Sequence, residues 1–284
     1  RKNSDYFEKG LPYLAAVAIT FIKDKQTAFL EFLKGNLDFI SGIDASYKDD
    51  VLDKDGYLQE KYSDKIQFYS LPYLNTEYLG FLMDSNNISL GNQLKIRKAI
   101  NYGFDRKKMI RFLRNNVGTP ATKGFIPVGL PSFTETLNGY DYNPELARKL
   151  IQECKLNQDH EIVLSTTSSY LDICEFIQNQ LGQLGLNIKV SINPPSTHRT
   201  MVATSKLDFF RGSWIADYGD GENYLALFYS KNHSPNGPNY THFSSEEYDL
   251  LYEKSLVEKS IIKRHALYNK TDQIIIDKAA IVPL

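Results

Sequence analysis

The sequence predicts an α/β fold, and three observations support it. Residues 161–214 alternate strand, helix, strand, helix and strand in their apolar pattern. Other segments carry apolar residues three and four apart, the spacing that gives a helix one buried face. Glycine, proline, asparagine and aspartate stand at the borders, where turns and caps need them. Strand–helix–strand crossovers are right-handed, so 161–214 is expected to form a parallel sheet covered on both faces.

Val17 to Lys23 read as the first strand. Lys25 to Leu33 place Ala28, Phe29, Phe32 and Leu33 on one helical face, and Gly35 closes that helix. Leu37 to Ile40 read as a short strand. Residues 45–65, rich in Asp and Lys, read as a solvated helix-and-loop excursion, and Ile66 to Met83 hold two apolar runs broken at Pro72. From Gln93, the residues Leu94, Arg97, Ile100 and Phe104 follow helical spacing. Asp105 is placed to cap a second helix carrying Met109, Ile110 and Leu113.

Gly118, Pro120, Gly124, Pro127, Gly129, Pro131 and Gly139 make residues 118–140 a loop. Asn143-Pro144-Glu145 then supplies a cap, a proline at the first helical position and an acid in the first turn, opening a helix through Ala147, Leu150 and Ile151. Glu161 to Ser165 is a strand. Leu171 to Leu184 is a helix with Cys174, Ile177, Leu181 and Leu184 inward, ended by Gly185. Leu186 to Ile192 is a strand, His198 to Thr204 a helix, and Leu207 to Trp214 a strand. Glu246 to Leu256 and Lys263 to Ile276 are amphipathic helices, and Ile281 to Leu284 end the chain as a strand. Arg1 is preceded by neither Met nor a leader, and both ends read as cuts, so a signal or lipid anchor is expected outside this stretch.

Lys and Arg number 33 against 34 Asp and Glu, and the resulting formal charge of −1 argues against nucleic acid or an anionic membrane as partner. Aromatic residues reach 13%, with 19 Tyr, 16 Phe and one Trp; such rings supply contact area at low entropic cost. Cys154 and Cys174 form no CxxC and no disulfide framework; buried free thiols are expected, with a single disulfide as the alternative. No apolar run approaches the roughly 18–20 residues that span a bilayer.

Catalytic motifs are missing. The sequence holds no Gly-x-Ser-x-Gly elbow, no phosphate-cradling glycine-rich loop and no His-Glu-x-x-His. His160, His198, His233, His242 and His265 lack metal-ligand spacing and read as lone surface histidines. No catalytic residue, metal or cofactor is expected. The densest polar cluster is Asp217-Tyr218-Gly219-Asp220-Gly221-Glu222. It lacks the ligand alternation of an EF-hand. Two of its carboxylates suit the acid and base of a glycoside hydrolase. Alternatively, one carboxylate receives a ligand's ammonium while its neighbours cap the next helix. The plainest reading is a solvated turn with acids at a helix N-terminus.

Seven blocks share a further pattern. They are Leu94-Lys-Ile-Arg97-Lys-Ala99-Ile-Asn101-Tyr-Gly-Phe-Asp105-Arg106, Gly118-Thr-Pro120-Ala with Gly124-Phe-Ile-Pro127-x-Gly129-x-Pro131, Tyr142-Asn-Pro144-Glu-Leu-Ala147-Arg-Lys-Leu150, and Ile177-Gln178-x-Gln180-Leu-x-x-Leu184-Gly185-Leu-x-Ile188. Trp214-Ile-Ala-Asp217-Tyr-x-Asp220 and Arg264-His-x-Leu267-Tyr268 through Pro283-Leu284 follow, and Asp5-Tyr6-Phe7 with Leu33-x-Gly35-Asn-Leu-Asp38 lie upstream. In this order they resemble family 5 of the extracytoplasmic solute-binding proteins, the peptide/nickel class. One departure is Gly221-Glu222-Asn223 after Asp220, where the family carries proline. Family members extend further on both sides, so the chain reads as a fragment.

The resemblance implies a two-lobed, periplasmic-binding-protein-like (type II) α/β fold closing on a ligand, with the distal lobe complete and the first lobe partial. Residues 1–77 are expected in the first lobe, 78–210 in the distal ligand-binding lobe, and 211–284 in a return segment into the first lobe. Hinges are expected near Leu74–Leu82 and Phe210–Trp214. The implied role is the substrate-binding component of an ABC importer. It captures peptides and delivers them to the permease subunits, and it is periplasmic or held at the cell surface as a lipoprotein. Asp217 matches the family's acceptor of the peptide α-ammonium and is expected to be a partly buried carboxylate. Trp214 and Tyr218 are expected to wall the pocket. Arg211 matches a position that in some members holds the ligand's C-terminal carboxylate. Arg211 and Trp214 face opposite sides of an extended strand, so a bulge or strand end is required for both to reach one cleft. Nickel complexes, haem, sugars or opine-like solutes on the same scaffold remain alternatives, as do a carboxylate-pair hydrolase and a chaperone-like module.

Overall fold

A computed structural model describes residues 1–44, 46–83, 90, 93–154 and 161–284. The elements run α1 (Lys25–Leu33), α2 (Lys48–Val51), β1 (Asn75–Phe81), α3 (Leu94–Tyr102), α4 (Arg106–Arg114), α5 (Pro144–Glu153), β2 (Ile162–Thr166) and α6 (Leu171–Gly182). They continue with β3 (Ile188–Ile192), α7 (Pro195–Ala203), β4 (Phe209–Ile215), α8 (Glu222–Leu225), α9 (Glu246–Val257), α10 (Ile261–Asp277) and β5 (Ile281–Pro283). The caps form as the residue types dictate. Asp105 accepts from Lys108 N at 3.0 Å, and Asn143 accepts from Leu146 N at 3.0 Å.

Five strands make one sheet in the order β3-β2-β4-β1-β5. The 161–214 segment is the parallel part, with β2 between β3 and β4. β1 runs antiparallel to both β4 and β5. The β1–β4 ladder is regular from Asn75↔Ile215 to Phe81↔Phe209. Its alternation feeds two cores. Leu79, Phe81 and Phe209 join Ile96, Ile100, Leu164 and Ile177 on one face, while Tyr78 and Phe210 join Phe125, Tyr224, Phe228 and Tyr248 on the other. The β1–β4 ladder spans positions 77/78 and 210/211, and residues from Tyr224 to Ile281 share the second core with Tyr78 and Phe210.

Glycine makes this ladder possible. A Cβ on Gly80 would lie 2.5 Å from the Phe210 ring, and one on Gly212 would lie 2.7 Å from the Tyr78 ring. Gly80 pairs with Phe210 and Tyr78 with Gly212, so each ring lies over its cross-strand glycine.

The Arg97–Arg106 block has a structural job. Arg97 donates through Nε to Ala279 O at 2.9 Å and through Nη2 to Lys278 O at 2.8 Å. Asn101 Nδ2 donates to Ile281 O at 3.0 Å, and Arg106 Nε donates to Pro283 O at 2.6 Å. Arg106 also reaches Asn101 O and Oδ1, at 2.8 and 3.1 Å. The two helices thus supply side-chain donors to outward carbonyls of the β5 region. Burial pushes the Arg106 guanidinium down to about 9.

Residues 118–140 form a loop without regular elements, as their glycines and prolines predict. Asp272 of α10 holds it, accepting from Phe125 N at 2.8 Å and Ile126 N at 3.2 Å. Burial raises this carboxyl to about 6, and those two N–H donors oppose the rise. Tyr140 OH adds a bond to Ile276 O at 2.6 Å.

Several expectations differ from the structure. Residues 17–23 and 37–40 are not strands; Val17, Ile19 and Phe21 are 69%, 76% and 94% exposed. Among the described residues nothing offers them a ladder, and a lone strand leaves its backbone groups to water. Leu94 lies at the surface of α3, whose buried face is Ile96, Arg97, Ala99, Ile100 and Asn101. Three of the histidines are not lone surface groups. His198 is buried, and His233 stacks on His242 with ring centroids 4.7 Å apart. His160 lies outside the described residues. Both cysteines are free, Cys174 buried and Cys154 half-buried. The N-terminal residues gather a small core of their own around Phe29, Tyr47, Val51 and Leu52. Asn115 joins it to α4, receiving Lys48 Nζ at 2.7 Å and donating to Asp49 Oδ1 at 2.9 Å.

Candidate functional site

β2 and β4 are parallel neighbours, so their C-terminal ends share one edge of the sheet, the side on which α/β sheets take ligands. Tyr170, just beyond β2, and Trp214, Asp217 and Tyr218, at the end of β4, lie on this side.

β4 ends at Ile215, and the following turn is organised by Asn223 in α8. The buried Asn223 carboxamide oxygen accepts the Trp214 indole Nε1–H at 2.8 Å and the Asp217 backbone N–H at 3.2 Å. One side chain thereby fixes both expected site residues. Gly221 lets α8 approach closely, since a Cβ there would sit 2.5 Å from Ser132 Oγ.

The three acids of the turn have separate fates. Asp220 accepts from Glu222 N at 3.0 Å just before α8, and lies 3.9 Å from Arg264 Nη2. Glu222 accepts the phenol hydroxyls of both Tyr218 and Tyr252. Burial first, and the Glu222 carboxylate second, raise both phenols above their ordinary range, so they stay donors. Asp217 is exposed, and among the described residues its carboxylate has no hydrogen-bond or ion-pair partner. The partial burial expected for Asp217 is absent, because the turn lifts it past the strand end. Tyr218 is 52% exposed, with its hydroxyl held by Glu222.

Arg211 lies on the other side of the sheet. The ladder has no bulge, so Arg211 shares a face with Glu77 and Leu79, while Trp214 shares one with Phe210 and the second core. Arg211 is 9% exposed, donates through Nη2 to Glu77 Oε2, and sets its guanidinium 3.2 Å from the Tyr170 ring centroid. The backbone oxygen of Arg211 accepts from His198 Nε2 at 2.8 Å, which fixes the neutral tautomer; burial lowers this imidazole below its ordinary range. Trp214, Asp217 and Tyr218 are therefore brought together, and Arg211 is not among them.

A groove of about 1780 Å³ runs between the N-terminal core and the segment after β2, with Phe29, Tyr69, Tyr73, Arg114, Tyr170 and Asp172 in its walls. Arg114 pairs with Asp172 at 2.6 Å across its rim. None of Arg211, Trp214, Asp217 and Tyr218 lines it, although Tyr170 connects it to Arg211. Tyr170 and Asn223 were missed in the sequence; the ends of predicted parallel strands were the signal for Tyr170, whereas Asn223 had none beyond following the acidic turn. Among the described residues, no group of three or more His, Cys, Asp or Glu is placed to hold a metal ion. No helix among them is long and apolar enough to cross a membrane.

The chain is similar to several known proteins along nearly its whole length. It is 22% identical over 283 residues to heme-binding protein A of Haemophilus influenzae, covering 97% of this chain and 49% of that protein. It is 24% identical to the oligopeptide-binding protein OppA of Bacillus subtilis, covering 100% of this chain and 52% of the relative. The periplasmic binding protein DppA of Helicobacter pylori, solved with the peptide STSA, superposes with a TM-score of 0.79 at 19% identity, over 93% of this chain and 49% of its own. The chain thus spans about half the length of these relatives and has the fold of the type II periplasmic binding proteins. Residues 1–236 match the family model described as bacterial extracellular solute-binding proteins, family 5 Middle, and the chain belongs to that family.

Proposed function

We propose that this chain is part of the substrate-binding component of an ABC importer, capturing peptides by their terminal ammonium and delivering them to a membrane permease. The observation that carries the reading is Asp217, an exposed carboxylate without a partner among the described residues, beside a fixed indole and a tethered phenol. An exposed ion pair contributes at most about 1 kcal/mol, so Asp217 alone does not make a selective site. Closure of a second lobe over it would remove water, and a charge-assisted bond there is worth about 1.5–3 kcal/mol. Selectivity for amines therefore comes with closure, driven by ligand bridging the lobes.

In this reading the lobes meet at β1 and β4, residues 1–74 belong to the partial first lobe, and the sheet with its two cores is the distal lobe. The neighbouring carboxylates support binding over hydrolysis: Asp220 is tied to α8 and Arg264, so it is not free to act as the acid or base opposite Asp217. The protein acts outside the cytoplasmic membrane, anchored as a lipoprotein. Heme-binding protein A among its relatives keeps a non-peptide solute as the second reading.

Titration calorimetry of the full-length protein separates these. A tripeptide with a free amino terminus is expected to bind at least about tenfold tighter than its N-acetylated form, a difference of about 1.4 kcal/mol. Equal binding of the two, or binding of haem or a sugar with no peptide response, refutes the ammonium reading.

A further inference from the structure

Glu77 and Arg211 come from positions 134 residues apart and meet on one face of the β1–β4 ladder, Arg211 opposite Leu79 and Glu77 opposite Ser213. The Glu77 carboxylate receives Arg211 Nη2. Tyr170 covers the guanidinium face at 3.2 Å, and Arg211 Nε is buried without a partner among the described residues. The side chains of Arg211 and Glu77 are 10% and 25% exposed, so little water screens the pair. The cation is already neutralised and enclosed by the protein. Asp217, beyond the end of β4, is exposed and has no partner among the described residues, so the charge offered to a solute there is negative.

We propose that Glu77 occupies the place a solute carboxylate would take on Arg211. The protein then reads an ammonium without reading a carboxylate, and its solutes are amines and peptides whose carboxyl end is free, amidated or extended. This rests on the ammonium reading of Asp217, and Glu77 becomes the residue that sets specificity. It also reassigns Arg211, expected from the family resemblance to hold the ligand's C-terminus, to a positioning role within the ladder.

Calorimetry of the full-length protein with Ala-Phe-Ala and with its C-terminal amide tests the proposal. Wild-type affinities are expected to agree within about threefold, and Glu77→Gln is expected to tighten the free acid by about tenfold while leaving the amide unchanged. An amide about tenfold weaker than the acid in the wild type, with the difference lost in Arg211→Met, overturns it. A ligand-free double-mutant cycle reads the pair independently. Glu77→Gln and Arg211→Met should each lower Tm, and the double variant should lose clearly less than the sum of the two. Additive losses overturn the internal pairing. Should neither peptide bind, the ammonium reading falls, and the cycle still decides whether Arg211 is committed to Glu77.

Discussion

Asp272 is the group through which pH should act on this fold. Its carboxylate sits in the second core's margin and accepts from the backbone of Phe125 and Ile126 at 2.8 and 3.2 Å. Burial raises it from 3.8 to about 6, and the two donors only partly offset that. Because the folded value lies above the unfolded one, the native state holds the extra proton between these limits, and stability falls as pH rises through that window. At about 1.4 kcal/mol per pKa unit, the ionised carboxylate costs about 3 kcal/mol above pH 6 relative to the protonated form below pH 4. Asp272→Asn removes the titration. Urea denaturation of wild type and Asp272→Asn, followed by circular dichroism at half-unit steps across that window, isolates the effect as a difference. The wild type should lose about 2 kcal/mol relative to the variant on going from pH 4 to pH 6.5, and the difference should then level off. Parallel curves across the window would refute the reasoning, as would a difference rising with pH.

Gly80→Ala or Gly212→Ala should destabilise by about 1–3 kcal/mol, because the new methyl meets the Phe210 or Tyr78 ring; Gly182→Ala, with open space around its helical position, should be neutral or slightly stabilising in the same denaturation assay. Arg106→Met leaves Pro283 O, Asn101 O and Asn101 Oδ1 without their donor, and should cost about 3 kcal/mol with loss of hydrogen-exchange protection in β5. Asn223→Ala releases the Trp214 indole and the Asp217 backbone, and should shift the fluorescence assigned to Trp214 by its Trp214→Phe difference and weaken peptide binding.

The parallel half of the sheet was legible because its signals are local. The inward face Cys174, Ile177, Leu181 and Leu184 is read from helical spacing, and the Asp105 and Asn143 caps from residue type at a border. Strand pairing is not local, so the alternation at Val17, Ile19 and Phe21 gave a strand pattern with no indication of a partner. The antiparallel strands β1 and β5 were visible as apolar runs, but their place in the sheet depends on contacts such as Arg106 to Pro283. At the site, Trp214, Asp217 and Tyr218 came from a motif within eight residues of one another. The contacts of Arg211 with Glu77 and Tyr170 were not legible, because those residues come from distant parts of the chain and their approach has no signature in its neighbourhood.

The central claim is that Asp217 receives the ammonium of a captured peptide. Peptide titrations of Asp217→Asn and Asp220→Asn in the full-length protein test it most directly, because asparagine at 220 can still accept from Glu222 N. The account predicts that Asp217→Asn weakens binding by about tenfold or more while Asp220→Asn stays within about threefold of wild type. Unchanged affinity in Asp217→Asn would contradict it.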